Sequence, residues 1–147
     1  MIKITEMTFE DFEKIKDVLQ TEFDEFWNSN ILKSELENAL SKYIVAKQEE
    51  QIVGFAGIII LPDDVEITNI VTKKNERKKG IGKLLLDKLI EMAAKFEKDI
   101  SLEVNEKNEV AINLYKKFGF KEVGIRKKYY NGYDNAIIMT KKLQYKQ

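Results

Sequence analysis

The sequence predicts an α/β domain of the α+β kind, in which helices flank a central, mostly antiparallel sheet. Short strand-like runs are joined by tight turns at two places, which indicates two hairpins. Strongly periodic apolar segments between them indicate amphipathic helices. The predicted elements follow the order β-α-α-β-β-β-α-β-α-β-β, and a chain of 147 residues is expected to form one domain over residues 1–147.

The first half supplies an N-terminal strand, two helices and a hairpin. Ile2 and Ile4 alternate with polar neighbours as a short strand does, and Thr8 is placed to cap the first helix. The predicted elements are a strand around residues 2–4, a helix to about residue 21, a helix over residues 31–40, and paired strands over residues 43–47 and 52–60.

The second half alternates strands with helices and ends in a second hairpin. Gly119 is predicted to end the last helix as a C-terminal cap, and Asn131-Gly132 is a strong signal for a two-residue turn. The predicted elements are a strand over residues 65–71, a helix over 81–96, a strand over 100–104, a helix over 109–118, and strands over 121–130 and 133–142.

Composition and charge exclude several classes of function. The formal net charge is zero, so the chain has no overall attraction to nucleic acid or to a membrane surface. Because it contains neither cysteine nor histidine, it lacks a thiolate nucleophile and the commonest metal ligand, and we predict no metal site. The polar start of the chain does not fit a signal peptide, and no apolar run is long enough for a membrane span. We expect a cytoplasmic protein.

The charge is unevenly distributed along the chain. Residues 1–40 contain four Lys and ten Asp or Glu, a local net charge of minus six. This excess is compatible with ordinary solvated helix faces. The alternative interpretation is an acidic wall that attracts a cationic substrate.

The stretch from Arg77 to Lys83, Arg-Lys-Lys-Gly-Ile-Gly-Lys, predicts an anion site. It lies between a predicted strand and a predicted helix, where the first N–H groups of the helix have no partner and the helix dipole is positive. The spacing excludes a P-loop, because the required first glycine would fall at Arg77. It also excludes a dinucleotide fingerprint, whose third glycine would fall at Leu85. A flexible basic surface turn is the alternative interpretation.

Further motifs accompany this loop in the second half of the chain. With the loop, they are Asn69-Ile-Val71, Arg77-x-x-Gly-x-Gly82, Leu102-Glu-Val104, Asn108-x-x-Ala111-x-x-x-Tyr115, Gly119-Phe120, and Ile125-Arg-x-x-Tyr-Tyr130 leading to Ala136-Ile-Ile-Met139. On these motifs, residues 65–143 resemble the GNAT acetyltransferases, and most closely their RimI type, the ribosomal-protein alanine N-acetyltransferases. The first sixty residues add little beyond Phe26-Trp27-Asn28.

The resemblance implies acetyl-CoA as the acetyl donor and assigns residues to its binding. A strand edge would hydrogen-bond the pantetheine arm, basic side chains would lie near the phosphates, and glycine-rich backbone would supply further donors. The Asn108 side chain would also contact the pantetheine arm, although it could simply cap its helix. The implied cofactor-binding residues are Ile70, Val71, Thr72, Arg77, Lys78, Lys79, Gly80, Ile81, Gly82 and Asn108.

The resemblance also implies an acid and a base. Glu103, between the apolar Leu102 and Val104, matches the proposed base of RimI-like enzymes, and an exposed strand carboxylate is its alternative interpretation. Glu66 matches the base of some other GNAT enzymes and is the rival. Tyr115 is the implied acid that protonates the departing thiolate, with a packing role as the alternative. Without cysteine or histidine, direct transfer in a ternary complex is favoured over an acyl-enzyme.

The implied reaction is acetylation of the N-terminal amine of a protein, with a ribosomal small-subunit protein as the leading acceptor. Tyr129, Tyr130 and Tyr133 either pack on the sheet or line the slot for that peptide. Two alternatives stay open: acetylation of a small amine (a polyamine, an aminoglycoside or an amino acid), and a non-catalytic acyl-CoA-binding module. The sequence leaves the oligomeric state open.

Overall fold

A computed structural model describes residues 1–25, 27–130 and 132–143 and, within them, contains one seven-stranded sheet flanked by helices. The strand order is β1-β2-β3-β4-β5-β7-β6, and β4–β5 is the one parallel pair in this sheet. The predicted α/β architecture and element order are therefore confirmed. The strands are β1 (Ile2–Glu6), β2 (Ser41–Gln48), β3 (Gln51–Ile60), β4 (Asp64–Thr72), β5 (Asp99–Asn105), β6 (Lys121–Tyr130) and β7 (Asp134–Lys141).

The helices cover both faces of the sheet. One face carries the helices of the second half, whose leucines Leu85, Leu86 and Leu89 are fully buried. The other face carries the N-terminal helices, with Phe23 buried against Phe55 at 5.7 Å between ring centroids. The α-helices are α1 (Phe9–Ile15), α2 (Ser29–Glu37), α3 (Ile81–Lys95) and α4 (Glu109–Lys117). None of the helices in the described part of the chain is both long and apolar enough to cross a membrane.

The first helix begins as predicted but ends early. Thr8 caps it, accepting a hydrogen bond from the backbone N–H of Asp11, whose carboxylate accepts one from the Thr8 N–H in return. The prediction that it continues to Thr21 is wrong: α1 ends at Ile15, and a π-helical turn covers Leu19–Phe23. This turn brings Phe23 onto the sheet, where burial of the aromatic ring outweighs helix continuity.

The remaining elements differ from the prediction mainly at their ends. Helix α2 begins two residues earlier than predicted and ends at Glu37, three residues earlier. Gly119 adopts the left-handed conformation (φ 95°) that the predicted C-terminal cap requires, and the Phe120 N–H donates to the Tyr115 carbonyl. In the last hairpin Tyr130 pairs with Asp134, so three residues connect the strands rather than the predicted two. Asn131 itself lies outside the described residues.

The central strands separate at one end and create a fork. Strands β4 and β5 pair only from Asp64 with Asp99 to Glu66 with Ser101, and then diverge. Directly after Glu66, β4 contains a β-bulge at Thr68, because Ile67 pairs with Ile58 but Asn69 pairs with Gly57. Among the described residues, the diverging edge of β4 therefore has no strand partner on the β5 side, and its backbone groups can accept an extended ligand.

Candidate active site

A groove of about 490 Å³ opens beside this fork. The end of β4, the loop before α3, the first turn of α3 and one side of α4 line it. Ten of the twelve predicted site residues contribute to its lining, whereas Lys79 and Glu103 do not. The ten are Ile70, Val71, Thr72, Arg77, Lys78, Gly80, Ile81, Gly82, Asn108 and Tyr115.

The first turn of α3 presents backbone donors to the groove. Gly80 caps this 15-residue helix in the left-handed conformation (φ 82°) and supplies no side-chain cap. The N–H of Leu84 bonds the Gly80 carbonyl, so the three preceding N–H groups have no partner within the helix. Apart from its chain neighbours, no atom of the described residues lies within 4 Å of a Cβ built on Gly80. Outside the backbone of α3, only Thr72 Oγ1, at 3.9 Å, lies near a Cβ built on Gly82. Open donors, open space and the helix dipole fit a phosphate group.

The basic side chains of the loop have different environments. Arg77 lines the groove and also donates from Nη2 to the Phe23 carbonyl at 3.1 Å, which ties the loop to the π-helical turn. Lys79 instead forms an ion pair with Glu76 at 2.8 Å and lies away from the groove. Lys83 and Asp24 also line the groove. Lys83 belongs to the predicted anion-site stretch but was not assigned to the cofactor, and Asp24 was not predicted as a site residue. Lys83 follows directly on the glycine motif, but no sequence signal identifies Asp24.

Helix α4 contributes Asn108 and Tyr115. The Asn108 Oδ1 accepts from the Ala111 N–H at 3.1 Å, so the predicted cap is confirmed, and the Nδ2 group is left to donate elsewhere. Tyr115 lines the groove on the same side of the helix as Ala111. Its ring also packs edge-on against Phe120, at 5.8 Å between centroids. The packing role and a catalytic role of Tyr115 are therefore compatible.

Two glutamates, Glu66 and Glu103, lie at the fork on the face of the sheet that carries α1 and α2. We call this part of the sheet surface the carboxylate face. Glu66 ends the paired part of β4, and Glu103 lies two residues beyond its partner Ser101 on β5. Glu103 Oε1 forms an ion pair with Arg126 Nη2 at 2.6 Å. The Arg126 guanidinium also lies over the Tyr129 ring, 5.1 Å from its centroid. The resemblance motif contains Arg126, but the sequence did not reveal its contact with Glu103.

The two glutamates differ in their electrostatic environment. Loss of hydration beside the sheet raises the pKa of Glu66 above its ordinary value, the nearby carboxylates of Asp64 and Glu103 raise it further, and Arg126 opposes them. Glu103 is held in place by its ion pair with the Arg126 guanidinium. Glu66 thus has the pKa direction that suits a proton acceptor at neutral pH, whereas Glu103 has the more fixed position.

The fold is that of an acetyltransferase, and comparison with known proteins shows the family. The model of the acetyltransferase (GNAT) family matches residues 4–120, and the chain belongs to this family. It is 36% identical over 137 residues to the [ribosomal protein bS18]-alanine N-acetyltransferase of Haemophilus influenzae, covering 88% of this chain and 91% of that protein. The predicted resemblance to the RimI type is confirmed.

Solved structures show how widely the fold is shared. The crystal structure of the ribosomal-protein-S18-alanine N-acetyltransferase from Escherichia coli superposes with a TM-score of 0.88 at 26% identity, covering 100% of this chain and 97% of that one. An aminoglycoside 6'-N-acetyltransferase complexed with coenzyme A gives 0.82 at 20% identity, covering 99% of each chain. The second likeness concerns the fold alone, so the fold does not select the acceptor.

Proposed function

We propose that this enzyme transfers the acetyl group of acetyl-CoA to the N-terminal amine of a protein, and that the N-terminal alanine of ribosomal protein bS18 is its leading acceptor. The arrangement that carries the proposal is the fork: a groove suited to an anionic, extended donor opens beside the diverging end of β4, and Glu66 and Glu103 lie on the two strands that diverge there. The name of the Haemophilus relative, at 36% identity over most of both chains, supports this choice of acceptor. We further propose that residues 1–147 together form the catalytic domain and act in the cytoplasm.

On this proposal the groove holds the donor. The N–H groups of Ile81, Gly82 and Lys83 would bind its phosphates together with Arg77 and Lys78. The open edge of β4 at Ile70–Thr72 would hydrogen-bond the extended arm, and Asn108 would donate from Nδ2. Lys79 remains a proposed contributor only through its charge, since it is paired with Glu76. Acetyl-CoA, when bound, supplies a thioester that an amine can attack.

The side chains of this protein would then move the protons. A protonated amine cannot attack, so a carboxylate must first accept its proton, directly or through water. We propose Glu103 for this role and keep Glu66 as the rival. As the nitrogen–carbon bond forms and the carbon–sulfur bond breaks, the Tyr115 hydroxyl donates a proton to the departing sulfur. With no cysteine or histidine in the chain, the transfer would be direct.

The test is an acetylation assay with purified protein, acetyl-CoA and a short peptide that begins Ala-Arg. We expect thiol release to depend on the peptide and the acetyl group to be found on its N-terminal nitrogen by mass spectrometry. The matched control is the same peptide with a blocked N-terminus, which should release no thiol. A parallel set of polyamines, aminoglycosides and amino acids tests the small-amine alternative.

The possible results separate the three functions. Turnover confined to the free peptide terminus supports the proposal. Faster turnover with a small amine would replace the acceptor class while keeping the groove assignment. Binding of coenzyme A without turnover of any amine would identify a non-catalytic acyl-CoA-binding protein.

A further inference from the structure

A buried tyrosine outside the groove contacts the β4 bulge from the neighbouring side of the sheet. Tyr43 on β2 is only 3% exposed, and its hydroxyl reaches past β3 to β4. There it accepts a hydrogen bond from Asn69 Nδ2 at 2.7 Å and lies 3.2 Å from Thr68 Oγ1. Thr68 is the inserted residue of the bulge, and Asn69 is the first residue after it.

The space that this tyrosine crosses is supplied by a glycine. A Cβ built on Gly57 of β3 would lie 2.4 Å from the Tyr43 ring, a distance that real side chains do not tolerate. Gly57 is also the β3 partner of Asn69. Strand β3 therefore has no side chain at the position that the Tyr43 ring crosses to reach the bulge. The contact thus depends on residues of three strands, β2, β3 and β4.

The bulge determines which backbone groups face the fork. In an antiparallel pair, successive residues direct their N–H and C=O groups alternately toward the partner strand and away from it. One inserted residue reverses this alternation for the residues beyond it. The opposite side of β4 is the unpaired edge of the fork, so the position of the bulge decides which groups of Ile70–Thr72 face the groove.

We propose that Tyr43 is a positioning residue for the acyl-donor site: by holding Thr68 and Asn69, it fixes the β4 bulge and hence the backbone donors of Ile70–Thr72. The inference rests on the proposed use of the groove for coenzyme A. Burial raises the pKa of Tyr43 to about 12, so its hydroxyl stays protonated near neutral pH and can donate to Thr68 while it accepts from Asn69. The buried Asn69 Oδ1 has no hydrogen-bond partner among the described residues. The Asn69 amide is therefore held through its Nδ2 group, which donates to Tyr43.

Tyr43→Phe tests the inference because it removes only the hydroxyl. We expect binding of coenzyme A, measured by calorimetry, to weaken about tenfold, and the KM for acetyl-CoA to rise in parallel while the KM for the acceptor peptide stays unchanged. The backbone amide resonances of residues 70–72 should shift in the ligand-free variant, which a general loss of stability would not produce selectively. The control is Thr5→Val. It also removes a buried hydroxyl, but one that has no hydrogen-bond partner in the described chain.

A second variant, Thr68→Val, keeps the inference testable if Tyr43→Phe does not fold properly. Thr68 is exposed, and Thr68→Val removes its contact with the same hydroxyl; we expect a weaker effect in the same direction, and less than the sum of the two effects in the double variant. If the wild type binds coenzyme A and both single variants bind it equally well, the inference is overturned. If the wild type itself does not bind coenzyme A, the proposed function fails and the inference fails with it.

Discussion

The groove and the carboxylate face adjoin the same fork, but they rely on different kinds of chemical groups. The groove relies on backbone N–H groups, the unpaired edge of β4 and the empty space beside Gly80 and Gly82. The carboxylate face relies on side-chain charges from three strands, with Arg126 paired to Glu103. We therefore expect added side-chain volume to weaken coenzyme A binding in the groove, and the loss of single side-chain atoms to slow catalysis.

The largest effect is expected from the loss of one oxygen atom at Tyr115. Tyr115→Phe keeps the ring that packs against Phe120 but removes the proposed acid. We expect kcat to fall about 100- to 1000-fold, because a positioned proton donor contributes about this much. Calorimetry should find the affinity for coenzyme A nearly unchanged. Equal losses of kcat and coenzyme A affinity would show instead that Tyr115 acts by shaping the groove.

The next effect compares the two glutamates of the carboxylate face. Glu103→Gln keeps the size of the side chain and removes the charge, and we expect kcat/KM to fall about 100-fold. Glu66→Gln is the matched variant on the adjacent strand and should lose much less. The measurement is the peptide acetylation rate for both variants across pH. A larger loss in Glu66→Gln would transfer the role of base to Glu66, in line with the raised pKa of that residue.

Much of the groove lining comes from one stretch of the chain, and the sequence alone pointed to that stretch. The glycine loop and the strand before it lie within residues 70–83, and local rules for helix N-termini identify them. The carboxylate face was predicted only in part. Its ion pair joins Glu103 on β5 to Arg126 on β6, two strands with β7 between them, so no local pattern connects the two residues.

The same distinction explains where the fold prediction was wrong. Strand β6 has the predicted bounds, because alternation and a turn signal are local properties. The early end of α1 depends on the contact of Phe23 with Phe55, which is 32 residues away in the chain (55 − 23 = 32). Asp24 reaches the groove only because the π-helical turn that precedes it packs beside the loop of Arg77. Tertiary packing overrides local preference at these positions.

A smaller effect tests whether the groove is limited by volume. Gly82→Ala should weaken coenzyme A binding about tenfold, because the new methyl group would occupy space next to the helix donors. The protein itself has room for it, since outside the backbone of α3 the nearest described atom to a Cβ there is Thr72 Oγ1 at 3.9 Å. Because alanine is the better helix former, we expect the free energy of unfolding to rise by about 0.5–1 kcal/mol. Unchanged binding in a stabilised variant would contradict a donor site at this turn.

The smallest effect concerns the stability of the carboxylate face itself. The folded-state pKa of Glu66 is raised above the unfolded value, so folding favours its protonated form. Its contribution to stability is therefore fully present below the ordinary pKa of 4.5 and is lost as the pH rises through the folded pKa. Relative to wild type, Glu66→Gln should become more stable near neutral pH than in acid. Since solvent screens an exposed carboxylate, we expect a gain below about 0.5 kcal/mol, measured by denaturant unfolding at both pH values.

Measuring Glu66→Gln in a second background separates the causes of the raised Glu66 pKa. Glu103 and Asp64 both contribute to the raised pKa of Glu66, and Arg126 opposes them. In a Glu103→Gln background one of the repulsive charges is absent, so the gain from Glu66→Gln near neutrality should shrink. An equal gain in both backgrounds would mean that loss of hydration and the Asp64 carboxylate, without Glu103, raise the pKa of Glu66. The two glutamates would then be independent groups, and their nearness at the fork would serve catalysis through position rather than through mutual repulsion.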